Sequence, residues 1–150
     1  MISKDFKEFA ELLNAHGVEY MVVGGYALMA HGQPRYTGDI DFWINPATLN
    51  VARLLTCLQQ FGFGSLGLTS SDFAADNTVI QLGFPPARID LMTHIDGVQF
   101  AAAFAQRKIV ALDGVELNVL TLTDFVTNKR ATGRLKDLAD LEALGYSPQA

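Results

Sequence analysis

At 150 residues, with 49% hydrophobic and 18% charged residues, the chain has the size and composition of one globular domain able to bury its own core. A formal net charge of −5 excludes a broad nonspecific grip on nucleic acid, although a local basic patch remains compatible with RNA binding. The single cysteine, Cys57, excludes an internal disulfide, and its place in an apolar helical pattern predicts a buried side chain.

The N-terminal stretch carries Lys4, Asp5, Lys7 and Glu8 and lacks the apolar centre of a signal peptide. No uninterrupted apolar run approaches the roughly 18 residues of a membrane span. A cytoplasmic protein without a membrane partner is the expectation. Ser3 is placed to cap a helix whose apolar positions Phe6, Phe9, Leu12 and Leu13 share one face, with Gly17 just beyond its end. Tyr20, Met21, Val22 and Val23 then form a short apolar run that predicts a buried strand, although periodicity alone also admits a helix. Gly24 and Gly25 end it, and residues 26–30 are good helix formers. Lacking Cβ atoms, the glycine pair lets a phosphate approach backbone N–H groups at a helix N-terminus; a plain turn is the alternative. His31-Gly32-Gln33-Pro34 stops this helix, with His31 expected to be a local hydrogen-bonding group.

In Gly38-Asp39-Ile40-Asp41-Phe42-Trp43-Ile44, side chains alternate between faces, so Asp39 and Asp41 share one face while Ile40 and Phe42 enter the core. Two carboxylates on one face repel unless a cation lies between them, and paired hard oxygen ligands suit Mg²⁺ or Mn²⁺. A solvated strand end with two unrelated acids is the alternative. Arg35 just upstream can offset the carboxylate repulsion or touch a triphosphate, with a structural ion pair as the alternative.

Residues 46–60 predict a helix that begins at Pro46 and turns Leu49, Ala52 and Leu55 inward. Residues 61–71, rich in Gly and Ser, predict an exposed loop without the Lys-Ser or Lys-Thr of a phosphate loop. A strand over 78–82, a turn over 83–86 and an antiparallel partner over 88–92 follow. Within that partner, Asp90 stands between Ile89 and Leu91; if the strand lies beside 40–44, Asp90 joins the other two acids. Three acids can hold two metal ions about 3.5–4 Å apart, clamping the attacking and leaving oxygens of an in-line phosphoryl or nucleotidyl displacement. His94, at the far end of the strand, is expected off that face and receives no role.

A short helix over 100–106 precedes a hairpin in which Asp113-Gly114 joins strands over 108–112 and 115–119. Thr121 or Thr123 caps a helix through Asp124 to Arg130; Gly133 breaks it, and a helix over 134–144 packs through Leu135, Leu138, Leu141 and Leu144. Gly145 and Pro148 end this last helix. Lys129, Arg130, Arg134 and Lys136 form the one basic cluster of an acidic chain, for which a solvated helix face is the alternative.

The glycine pair, the thirteen residues after it, the Asp-x-Asp between apolar neighbours and the later apolar-Asp-apolar strand resemble the nucleotidyltransferase superfamily related to DNA polymerase beta. More narrowly, residues 31–41 are similar to small bacterial nucleotidyltransferases grouped with the AbiEii-type toxins. That resemblance implies an α/β fold, a small mixed β-sheet with packed helices in a single domain. Its Arg-x-Thr-x-Asp-x-Asp pattern falls on Arg35, Thr37, Asp39 and Asp41, and its C-terminal motif on Lys129, Arg134, Lys136, Asp137 and Asp140. Many members have Gly-Ser where this chain has Gly24-Gly25, which removes a hydroxyl contact to phosphate. The implied activity moves an NMP from an NTP to an acceptor hydroxyl on tRNA, protein or a small molecule, with release of pyrophosphate. Asp39, Asp41, Asp90 and Lys129 are then catalytic, the three aspartates holding Mg²⁺ or Mn²⁺. Gly24, Gly25, Arg35, Thr37, Arg134, Lys136 and Asp137 bind the nucleotide, and a toxin or antitoxin is a possible partner protein. Two other classes stay open: a nucleotide-binding antitoxin or regulator without turnover, and an interaction module whose acids bind a structural cation.

Overall fold

The computed structural model describes residues 2–33 and 38–147; Pro34, Arg35, Thr37 and Pro148, singled out above, lie outside the described residues. Strand β1 (Tyr20–Val23) is buried at every position, as a continuous apolar run in mid-sheet requires. It pairs antiparallel with β2 (Asp39–Ile44) and parallel with β6 (Val115–Val119). β2 runs parallel to β4 (Arg88–Met92), with Asp39 opposite Arg88 and Asp41 opposite Asp90. β3 (Val79–Leu82) and β5 (Lys108–Leu112) form the edges, each antiparallel to its neighbour, in a six-stranded mixed sheet of order β3-β4-β2-β1-β6-β5.

Helices cover both faces. α1 (Lys4–Ala15) starts where Ser3 Oγ accepts the Phe6 N–H at 3.2 Å, and it buries Phe6, Phe9, Ala10 and Leu13. Phe9 meets Phe42 edge-on with centroids 5.5 Å apart, and Phe42 meets Tyr20 at 5.4 Å. Each such ring removed from water contributes about 1.5–3 kcal/mol. Trp43 projects to the opposite face, where its ring lies 5.1 Å from that of Phe100 in α4 (Phe100–Ala105). Asp39 and Asp41 therefore share the Trp43 face. Cys57 is buried, as its apolar surroundings predict.

Three sequence expectations are corrected. α3 (Thr48–Leu58) starts after Pro46, with Ala47 in the capping position, and buries Asn50, Val51, Leu54, Cys57 and Leu58. Leu49 and Ala52 face solvent and Leu55 is half-buried, because the helix lies rotated by one position from the expected stripe. In α6 (Leu135–Ala143), Leu135 is 88% exposed and Leu141 is buried, while Leu138 is half-buried. Residues 61–71 are largely exposed, as expected, but they are not irregular throughout: a π-helical turn spans Gln59–Phe63, short 3-10 turns span Gly64–Leu66 and Ser70–Phe73, and the Phe61 ring lies 5.3 Å from Phe9.

Two turn expectations and a helix cap hold. α2 (Gly25–Ala30) follows the glycine turn, and Asp113-Gly114 closes the β5–β6 hairpin with φ of 51° and 84°. α5 (Leu122–Thr132) begins where Thr121 Oγ1 accepts the Asp124 N–H at 3.1 Å and ends at Gly133, whose φ of 64° is a left-handed conformation that glycine adopts without strain. Among the described residues, no helix is long and apolar enough to cross a membrane.

Candidate active site

Parallel pairing of β2 with β4 brings the three acids together. Asp39, Asp41 and Asp90 each present a carboxylate oxygen within 4.8 Å of the others. Asp90 is buried, whereas Asp39 and Asp41 are half-buried. Sequence reasoning missed the residue that compensates them. Arg88 Nε and Nη2 donate to Asp90 Oδ1 and Oδ2 at 2.9 and 3.1 Å, and Nη2 also reaches Asp39 Oδ2 at 3.3 Å. A basic residue two positions before an acid on one strand was the available signal, since the two share a face.

Arg88 makes no hydrogen bond to Asp41. Asp41 Oδ1 is buried without a hydrogen-bond partner, and the carboxyl is pushed up to about 8, by burial first and then by Asp39 and Asp90 beside it. Between ionised carboxylates no hydrogen bond forms; a proton held by Asp41 turns its contacts with Asp39 and Asp90 into hydrogen bonds. Gly24, with φ of 72°, lies directly over this group: a Cβ there would overlap Asp41 Oδ2. The arrangement of hard oxygen donors, one of them buried and unpartnered, fits a divalent cation.

The raised Asp41 carboxyl has a consequence for stability without metal. The folded chain holds this proton more tightly than the unfolded chain, whose value is 3.8. The resulting stabilisation is fully present below that value and is lost as pH rises through about 8. In the presence of a chelator, the wild-type melting temperature should fall between pH 5 and pH 9 more steeply than that of Asp41→Asn. Parallel pH profiles for the two proteins would refute the assignment.

A second ionic cluster forms where α5 meets α6. Asp137 is fully buried and accepts from Lys129 Nζ at 3.0 Å, Thr132 Oγ1 at 2.7 Å, and Arg134 Nε and Nη2 at 2.7 and 3.2 Å. Burial alone raises its carboxyl, but the bonds from Arg134, Thr132 and Lys129 outweigh it and hold the group well below the usual carboxylate range. Lys129 is itself buried and lies 4.0 Å from Asp140 Oδ2. Arg134, the N-cap residue of α6, stays 68% exposed along its side chain.

One cleft of about 420 Å³ reaches members of both clusters, being lined by Gly24 and Asp41 and by Lys129, Thr132 and Arg134, whereas Asp39 and Asp90 do not line it. His94 and Asp96, 3.0 Å apart through Nε2 and Oδ1, also line it, as does Asn128, which donates to the Asp96 carbonyl at 2.9 Å. His94 thus lies nearer the site than its strand position predicts. Gly25 opens α2 immediately after Gly24. Lys136 is exposed on α6 and does not line the cleft, and Asp137 lies beneath it. Arg35 and Thr37 fall outside the described residues. His31 is a hydrogen-bonding group, its Nε2 2.7 Å from the Leu120 carbonyl oxygen. A separate hollow of about 390 Å³ beside α3, lined by Leu55, Leu58, Phe63 and Leu68, holds no titratable side chain and offers no comparable chemistry.

The same architecture occurs in a candidate nucleotidyltransferase from Thermotoga maritima. The two superpose with a TM-score of 0.62 over 97% of this chain and 93% of that one, at 16% sequence identity, which establishes a shared nucleotidyltransferase-like fold. No curated protein matches the sequence. The family model described as "Nucleotidyltransferase of unknown function (DUF6036)" matches residues 3–148, nearly the whole chain. The chain belongs to that family of nucleotidyltransferases.

Proposed function

We propose that the protein is a metal-dependent nucleotidyltransferase that moves an NMP from an NTP to an acceptor hydroxyl and releases pyrophosphate. One observation carries this reading: three carboxylates meet on adjacent strands, and one of them, Asp41, with a buried unpartnered Oδ1 and with Oδ2 against Gly24, lines the same cleft as Lys129 and Arg134. Asp39, Asp41 and Asp90 would hold Mg²⁺ or Mn²⁺, which when bound supplies neutralisation of phosphate charge. Gly24, without a side chain, lets the Asp41 carboxylate lie against the turn, and Lys129, fixed by Asp137, adds positive charge to the same cleft. The acceptor oxygen bonds to the α-phosphorus while the bond from that phosphorus to the oxygen bridging the β-phosphate breaks. Asp90 takes the hydroxyl proton, and the electron pair of the broken bond leaves with pyrophosphate. Catalysis on this reading is chiefly positioning and charge compensation.

The similarity of residues 31–41 to AbiEii-type toxins extends the proposal to a toxin–antitoxin setting in the cytoplasm, with tRNA, a protein or a small molecule as acceptor. A second reading, a nucleotide-binding antitoxin or regulator without turnover, is favoured by the Arg88 guanidinium between Asp39 and Asp90, where it already serves as their cation. Incubation of the purified chain with Mg²⁺, α-³²P-labelled NTPs and separate pools of tRNA, protein and small molecules distinguishes the two. The enzyme transfers label to one pool. Stabilisation by NTP and Mg²⁺ without transfer to any pool would establish the regulator instead.

A further inference from the structure

We infer that Arg88 is a built-in counter-ion of the carboxylate site, one that a divalent cation must displace, and that it thereby sets how tightly the site binds metal. The inference rests on the metal-dependent reading above. Arg88 stands directly opposite Asp39 in the β2–β4 register and two residues before Asp90 on the same face of β4. Its guanidinium engages both oxygens of Asp90, so both are already paired with a positive charge before a cation arrives. The third contact, to Asp39 Oδ2, places the same positive charge between two prospective ligands. Asp41 Oδ1 is left out of this pairing, and it is buried without a hydrogen-bond partner among the described residues. The Arg88 side chain is 28% exposed, which gives its head group a route to water.

A counter-ion and a clamp predict opposite signs. If Arg88 merely held the carboxylates in position for metal, its removal would weaken metal binding, because the acids would splay apart. If it occupies the place of the metal, removal strengthens binding, because the incoming cation no longer breaks an ion pair. Direct measurement of Mn²⁺ binding, by the spin-resonance signal of free Mn²⁺, separates the two without reference to activity. Arg88→Met should bind Mn²⁺ about tenfold more tightly than wild type, reflecting an ion-pair contribution that a hydrophobic stem lacks. Its melting temperature should be lower than wild type in chelator and should rise further on addition of Mn²⁺. Should Arg88→Met not fold, Arg88→Gln, which keeps a polar head without the charge, is read in the same assay for the same gain. Wild type that binds Mn²⁺ while the variant binds it equally or more weakly overturns the counter-ion alone. Failure of both proteins to bind Mn²⁺ overturns the metal-dependent reading and the counter-ion with it.

Discussion

Asp41→Asn should lower nucleotidyl transfer about a thousandfold while leaving the metal-free protein folded. The loss follows from the position of Asp41, which combines a buried, unpartnered oxygen with direct contact to the glycine turn. A metal ligand contributes several kcal/mol of transition-state stabilisation, and about 4 kcal/mol corresponds to a factor of about a thousand in rate. The fold survives because the asparagine amide resembles the protonated form of Asp41. Its N–H groups can donate to Asp39 and Asp90, the contacts that help to raise the native carboxyl to about 8. Transfer of labelled nucleotide and the melting temperature with and without Mn²⁺ and NTP should be measured together. Wild-type transfer by this variant would remove Asp41 from the reaction, and loss of its fold in chelator would show that the carboxylate is structural.

The largest effect on stability should come from Asp137→Ala. This aspartate has no exposed surface and receives four hydrogen bonds from three side chains, so its removal leaves the Lys129 ammonium buried without its nearest counter-charge. Breaking a buried pair by deleting one partner typically costs about 3–5 kcal/mol, which for a chain of this size lowers the melting temperature by about 10 °C. Arg134, largely exposed, can turn to water and recover part of its hydration. The double variant Lys129→Met with Asp137→Ala should then lose less than the sum of the single losses, since no unpaired buried charge remains. Additive losses in the calorimeter, or an unchanged melting temperature for Asp137→Ala, would show that the two side chains are energetically independent.

The carboxylate-bearing face was legible because strand alternation is a local property. Asp39 and Asp41 had to point the same way once β2 was recognised, and Ile40 and Phe42 had to point into the core. Asp90 depended on which strands become neighbours, a property no short window contains; only the assumption of adjacency brought it to the site. Helix faces were harder. In α6 the leucines recur every third residue, and each such step turns about 60° backwards around a helix, so Leu135 and Leu144 cannot share a face. The helix instead buries Asp137 and Leu141, one turn apart. An aspartate with no exposure runs against the usual place of charge, and its three donors are assembled only when α5 and α6 meet. Arg88 escaped notice for a related reason: a basic residue beginning a strand ordinarily faces water, and its partner Asp39 is distant in sequence.

Because Asp41 and Asp90 are direct neighbours across the parallel β2–β4 ladder, their separation is governed by the pitch between adjacent strands, about 4.8 Å, rather than by the length of any connection. The sheet acts as a gauge. Insertions between β2 and β3, or in the turn between β3 and β4, can remodel the rim of the cleft while the carboxylates keep their distance. A one-residue deletion inside β2 or β4 has the opposite character, because it turns an acid to the far side of the sheet. Tolerance to change is therefore divided within a few residues, and the rim of the cleft can vary while the spacing of the acids does not.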